Sequence, residues 1–231
     1  AKLGGVELAA NQPVSWRIQT GTQPYRATFT VHKDAWNNSL AGKMGKDITL
    51  EIRNHEGTQR IEKLTILHKV PSGSSNRVSF VVADRRWRWH YKSIARDYNV
   101  TKRVGDKNFL YERVPIETRT TFDQFDYKAY SLNNGNRWTA RECIDDILDQ
   151  LNDDGGHRHF VESFPFDGEN QVDIQNLILR DRGDVALSRA LSFAPGAAVY
   201  VDIGGMTRVI DATDKSALER HYRSLPPATR I

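Results

Sequence analysis

The run Arg85-Arg86-Trp87-Arg88-Trp89-His90-Tyr91-Lys92 interleaves cations with aromatic rings. A single-strand binder uses these residue types, because cations hold phosphates while ring faces stack on bases. The alternation also has a plainer reading. On a strand, Trp87, Trp89 and Tyr91 share one face and Arg86, Arg88 and His90 the other, which makes the rings core and the arginines a solvated or lumenal wall. This core-and-wall strand is the expectation, since alternation is the ordinary sign of a half-buried strand. With Arg96, Lys102, Arg103 and Lys107 the stretch 85–107 carries a net +6. Arg85, Arg86, Arg88, Lys92, Arg96, Lys102 and Arg103 are therefore the residues expected to meet a lumen, DNA or another subunit.

A second cluster is His157 and His159 close to Asp153, Asp154 and Glu162. Two imidazoles two apart on a strand point the same way, and carboxylates can complete a divalent site. No second ligand pair at fixed spacing supports this, so a polar loop after a helix is expected and no metal is assigned. Glu142, Asp145, Asp146, Asp149, Asp153 and Asp154 give −6, without the order of a calcium loop. Asp145, Asp146, Asp149 and Asp153 are expected as an exposed acidic face that docks on the basic stretch of a neighbouring copy. The phosphate-loop, dinucleotide, G-x-S-x-G, H-E-x-x-H and C-x-x-C patterns are all missing. No catalytic or cofactor-binding residue is assigned, and no cofactor is expected.

The elements that must position these residues form two groups. Alternating patterns predict strands over Pro13 to Thr20, Tyr25 to Lys33, Asp47 to Asn54, Ile61 to Lys69 with His68 on the core side, and Arg77 to Val82. A short helix or turn is expected over Asp34 to Gly42, and further strands over Phe109 to Ile116 and Tyr127 to Leu132. Thr139 followed by Glu142 is a capping box, opening a helix with Ala140, Ile144, Ile147, Leu148 and Leu151 on its apolar face. Further predictions are a helix over Asp181 to Phe193, a hairpin of Ala198 to Ile203 and Thr207 to Asp211, and a helix over Asp214 to Leu225. This is an α+β chain, a β-barrel-like domain over 1–134 followed by a helix and hairpin domain over 135–231.

Composition narrows the classes. The 231 residues hold 33 Lys and Arg against 29 Asp and Glu, a formal net charge of +4, with one cysteine. A disulfide framework is excluded, and Cys143 on the apolar helix pattern is expected as a buried thiol. No window is apolar enough to span a membrane and the amino terminus lacks a signal-peptide core, so no membrane insertion is expected.

Asp84-Arg85-Arg86-Trp87, Tyr98-Asn99-Val100, Thr139-Ala140, Asn176-Leu177 leading into Leu187-Ala190-Leu191, and Val199-Tyr200-Val201-Asp202 resemble, in order and spacing over residues 45 to 212, the baseplate hub proteins of long-tailed bacteriophages. The resemblance implies a non-enzymatic, homo-oligomeric virion protein made in the host cytoplasm. It would have tail-tube-like β-barrels and assemble as a ring, expected as a trimer, at the tail tip. That ring would join the tail tube to the spike or tape-measure end, touch the distal tail ring or fibre, and let DNA pass. Members of that family are longer, so a compact hub and a part of one are both open. The alternative from the residues themselves is a nucleic-acid-binding β-barrel module using 85–107.

Overall fold

Gly4 and Gly5, both at positive φ, form the two-residue turn between strands β1 (Lys2–Leu3) and β2 (Val6–Glu7). Such primed turns match the right-handed twist of paired strands, and glycine takes them without a Cβ penalty. The computed structural model describes residues 1–9, 14–54, 57–71, 76–104, 107–110, 137–152, 159–165, 174, 176–214 and 216. The fold is α+β with a curled, strand-rich sheet. Two compact units make up the chain: Ala1–Arg88 with Phe160–Glu162 and Ala198–Ile231, and Trp89–His159 with Ser163–Ala197. The expected boundary residues 133–136 lie outside the described residues.

The first unit holds a six-stranded sheet in the order β2-β1-β4-β5-β6-β3, with β3 at Arg26–His32, β4 at Asp47–Asn54, β5 at Gly57–Val70 and β6 at Arg77–Ala83. Every pairing is antiparallel. Its core gathers Phe29, Val31, Ile48, Leu50, Ile52, Ile61, Leu64, Ile66, Phe80 and Val82. A helical run covers one end, built from α1 (Lys33–Ala35), a π-helical turn (Trp36–Leu40) and a 3-10 turn (Ala41–Lys43). It buries Trp36 against Phe80, ring centroids 4.9 Å apart.

Register explains one detail that alternation misses. Ile61 and Leu64 are three apart, which puts them on opposite faces of a regular strand. Leu50 pairs with Ile61 and Ile48 with Leu64, so Glu62 and Lys63 together face Thr49 in a β-bulge, and Lys63 takes φ 55°. The extra residue returns Leu64 to the core side. A second shift between Ile66 and His68 places His68 in solvent rather than on the expected core face.

The strand expected over Pro13 to Thr20 is absent from residues 14–20. Trp16 there is still buried, edge-on against Tyr25 at 4.8 Å. The Gln19 carbonyl accepts from a side chain, Arg86 Nη1, and just after the segment Gly21 N–H donates to the Val199 carbonyl of the later hairpin. That hairpin is β12 (Ala197–Val201) and β13 (Thr207–Asp211), which join β10 (His159–Val161) in a three-stranded sheet ordered β10-β13-β12. Gly205, φ +76°, lies so close to the bulge that a Cβ there would meet Lys63 Cβ at 2.7 Å.

In the second unit β7 (Ser93–Tyr98) pairs antiparallel with β11 (Leu177–Arg182), and β8 (Thr101–Val104) with β9 (Lys107–Leu110). Helix α2 (Ala140–Asn152) starts at the expected capping box. Thr139 N–H donates to Glu142 Oε2 at 2.9 Å and Glu142 N–H to Thr139 Oγ1 at 3.2 Å. Ala140, Ile144, Ile147, Leu148, Leu151 and the Cys143 thiol are all buried. Helix α3 (Gly183–Leu191) packs on α2, burying Ala186, Leu187 and Ala190. The helix expected from Asp181 thus starts two residues later, because Asp181 and Arg182 still belong to β11. Residues 111–116, Tyr127 to Leu132, and 215 and 217–225 of the expected last helix lie outside the described residues. No described helix is long and apolar enough to cross a membrane.

Candidate functional site

The segment Arg85–Tyr91 is a 3-10 helix, not the expected strand. In a 3-10 helix, residues three apart stack in one row. Arg86 and Trp89 are accordingly both buried, while Tyr91 is 77% exposed. Alternation of rings and cations therefore does not translate into a ring face and an arginine wall.

Asp84 and Arg86 form a buried pair. Arg86 donates from Nε to Asp84 Oδ1 at 3.1 Å and from Nη2 to Oδ2 at 2.7 Å, and Arg86 N–H reaches Oδ1 at 2.9 Å. Its Nη1 donates to the carbonyls of Gln19 at 2.8 Å and Gly21 at 2.6 Å. Tyr25 N–H donates to Asp84 Oδ2 at 2.8 Å, and Gly21 N–H to the Val199 carbonyl at 2.7 Å. Arg85, also buried, directs Nη1 at the Gly205 carbonyl 3.4 Å away. Two cations expected at a lumen, DNA or subunit contact are therefore enclosed in the first unit, where they tie the strandless segment 14–25 and the β12–β13 turn to the end of β6. A guanidinium serves here because its fork spans one carboxylate and two carbonyls at once.

The other charged residues are more exposed. Arg88 Nη2 pairs with Asp47 Oδ1 at 2.9 Å. Lys92 Nζ donates to the Gln150 carbonyl at 3.1 Å. Arg96 Nε donates to Asp146 Oδ2 at 3.0 Å, and the same oxygen accepts from Tyr98 Oη at 2.7 Å and Gln150 Nε2 at 3.1 Å. Burial, followed by the Asp146 charge, pushes the Tyr98 phenol above its ordinary range. One basic and one acidic residue expected to meet across copies thus meet inside the second unit. Asp145 and Asp149 flank His159, with Asp145 Oδ1 3.0 Å from Nε2 and Asp149 Oδ1 3.5 Å from Nδ1. Lys102 and Arg103 lie on β8, and the structure does not describe their side chains. Asp153, Asp154 and His157 lie outside the described residues, among which no three His, Cys, Asp or Glu groups converge as a metal site.

Two arrangements escaped the sequence reading. Asn99, at φ 48°, donates from Nδ2 to the carbonyls of Trp138 and Ile174 and accepts Trp138 N–H at 2.8 Å. Asn is one of the few non-glycine residues that tolerates this backbone, and its amide can both donate and accept. The second is the outward face of the β7–β11 ribbon. Leu177 and Leu179 point inward while Ile178, Arg180 and Arg182 point outward, a period-2 signal present in the sequence but overlooked. Arg180 Nη1 lies 2.8 Å from Oδ1 of buried Asp97. Arg182 Nη1 lies 3.1 Å from His90 Nε2, and His90 Nδ1 lies 3.5 Å from Oδ2 of buried Asp184. The Tyr91 ring meets His90 edge-on at 5.2 Å.

No protein-family model matches the sequence, and no curated protein matches it. Among solved structures, the 43 kDa tail protein of prophage MuSo2 from Shewanella oneidensis is similar at TM-score 0.39 and 11% identity, over 84% of this chain and 48% of that one. The chain therefore spans about half the length of the tail protein it is similar to.

Proposed function

We propose that this chain is a structural subunit of a bacteriophage tail tip, a hub-like ring protein that joins the tail tube to the spike or tape-measure end and leaves a passage for DNA. One observation carries the reading: the short segments in which the sequence resembles hub proteins are architectural joints. Asp84-Arg85-Arg86 hold the segment 14–25 and the Gly205 turn. Asn99 clamps Trp138 and Ile174 and accepts Asn176 N–H at its carbonyl, and Thr139 caps α2. Asp202 receives Met206 N–H at 2.8 Å and Arg208 Nε at 2.8 Å in the β12–β13 turn. Side chains spent in this way hold a shape, as a virion component must, and turn over no substrate.

The test is assembly. Mass photometry and negative-stain imaging of the purified chain should show closed rings whose population grows with protein concentration. A monomer at every concentration, alone and with its tail neighbours, would remove the ring. Charge reversal to probe ring contacts belongs at Arg88, since reversing Arg85 or Arg86 would disrupt the first unit itself.

A further inference from the structure

We infer that the outward face of β3, β6 and the 64–70 half of β5 is where a second copy of this chain docks, with Arg26 and His68 meeting Asp149 on α2 of that copy. This rests on the ring reading and names the contact that would build the ring.

Charge sets the face apart. The three strands are adjacent in the sheet, and β3, β6 and residues 64–70 hold no Asp or Glu. Phe29, Val31, Phe80, Val82 and Ile66 take the core side, so the register puts Arg26, His32, Arg77 and His68 on the outward one. All four are exposed. The carboxylates that flank the strands are engaged: Asp84 is buried with Arg86, Asp47 pairs with Arg88, and Asp34 lies 3.3 Å from His32. Among the described residues, the side chains of Arg26 and His68 make no hydrogen bond or ion pair. A partner can therefore supply the carboxylate that the chain itself does not place there.

The ground between the cations suits a protein. Thr28, Val81 and His68 form one cross-strand row, and Thr30, Ser79 and Val70 the next. Val81 and Val70 are half-buried, and the hydroxyls of Thr30 and Ser79 bond each other at 2.9 Å. Polar groups already paired within a face can be covered at little cost, whereas unpaired ones lose their water. An apolar centre with a charged rim is the anatomy of a protein contact. A single-stranded nucleic acid would stack its bases on exposed rings, and the rings of these strands, Phe29 and Phe80, are both buried on the core side.

The opposite charge lies in the same chain. The first unit carries 19 Lys and Arg against 12 Asp and Glu, and the second 14 against 17. Copies therefore attract through unlike units, a heterologous contact of the kind that closes rings. On α2, Asp146 is held by Arg96, whereas the side chain of Asp149 is 78% exposed.

Mass photometry of the full chain, giving the protein concentration of half assembly, tests this. Arg26→Glu and Asp149→Arg should each raise that concentration about tenfold or more, because each sets like charges against one another. The double variant should return it to within about threefold of the parent, since the pair is restored with its signs exchanged. For the parent it should rise between about 50 and 200 mM salt, as the contact is screened. Circular dichroism melts confirm that the variants fold; if Arg26→Glu does not, His68→Glu brings the same charge to the next row and is read in the same way. Parent rings that these reversals leave unchanged overturn the inference while the ring stands. So does a double variant that assembles no better than either single one. A parent that is monomeric at every concentration removes the ring and this contact together.

Discussion

Replacing Arg86 with Met removes one partner of a buried ion pair while keeping most of the side-chain stem. The guanidinium, 1% exposed, would no longer donate to Asp84 or to the Gln19 and Gly21 carbonyls. Breaking a buried pair from one side costs about 3–5 kcal/mol, because the remaining charge stays desolvated. Asp84 keeps the backbone N–H groups of Tyr25 and Arg86, and segment 14–25 can open to water, so the expected loss is the lower end, about 3 kcal/mol. With a urea dependence of about 1–3 kcal/mol per molar, the midpoint of the first unit should fall by roughly 1–3 M. Hydrogen exchange should rise first in peptides covering 14–25 and 77–83. The double variant Asp84→Asn with Arg86→Met should be more stable than Arg86→Met alone, since it removes the stranded carboxylate. A midpoint for Arg86→Met within about 0.3 M of the parent, or strictly additive costs in the double variant, would refute the reasoning.

Gly205→Ala should cost about 1–3 kcal/mol, since φ is +76° and the added Cβ would sit 2.7 Å from Lys63 Cβ. Gly204→Ala, whose Cβ would meet only Asp202 Oδ1 at 3.4 Å, is the matched control and should melt close to the parent. The Tyr98 phenol is pushed up by burial and by Asp146, so the folded state holds its proton where the unfolded state releases it. Its contribution is therefore intact below an unfolded value of about 10 and shrinks as pH rises above it. Urea midpoints measured on both sides of that value should fall in the parent and fall less steeply in Tyr98→Phe.

Local signals were the ones that sequence carried well. Strand β4 spans the expected Asp47 to Asn54 because Ile48, Leu50 and Ile52 alternate without interruption. Helix α2 was legible from its capping box and its 3.6-residue apolar row, both contained within one element. Where a partner distant in sequence decides the outcome, pattern was insufficient. The bulge at Lys63 depends on both the register with β4 and the close approach of Gly205. The run from Arg85 to Tyr91 alternates as a strand would, yet coils because Asp84 and Arg86 bond to Gln19, Gly21 and Tyr25. The site suffered in the same way. A count of cations finds Arg86 and Arg182 alike, but only the fold encloses the first and presents the second.

The interleaving of the two units sets the order in which the molecule can be finished. Glu62 N–H bonds to the Ile203 carbonyl, Gly21 N–H to Val199 and Arg85 to Gly205, so strands and loops made early are completed by a hairpin made late. At about 5–20 residues per second, roughly 6 to 25 s separate synthesis of Arg88 from that of Asp211. During that interval the bulge at Lys63 and the Arg85 guanidinium face water or a chaperone instead of β12 and β13. Shortening the chain anywhere before residue 198 would therefore leave the first-made unit, far away in sequence, permanently in that half-finished condition.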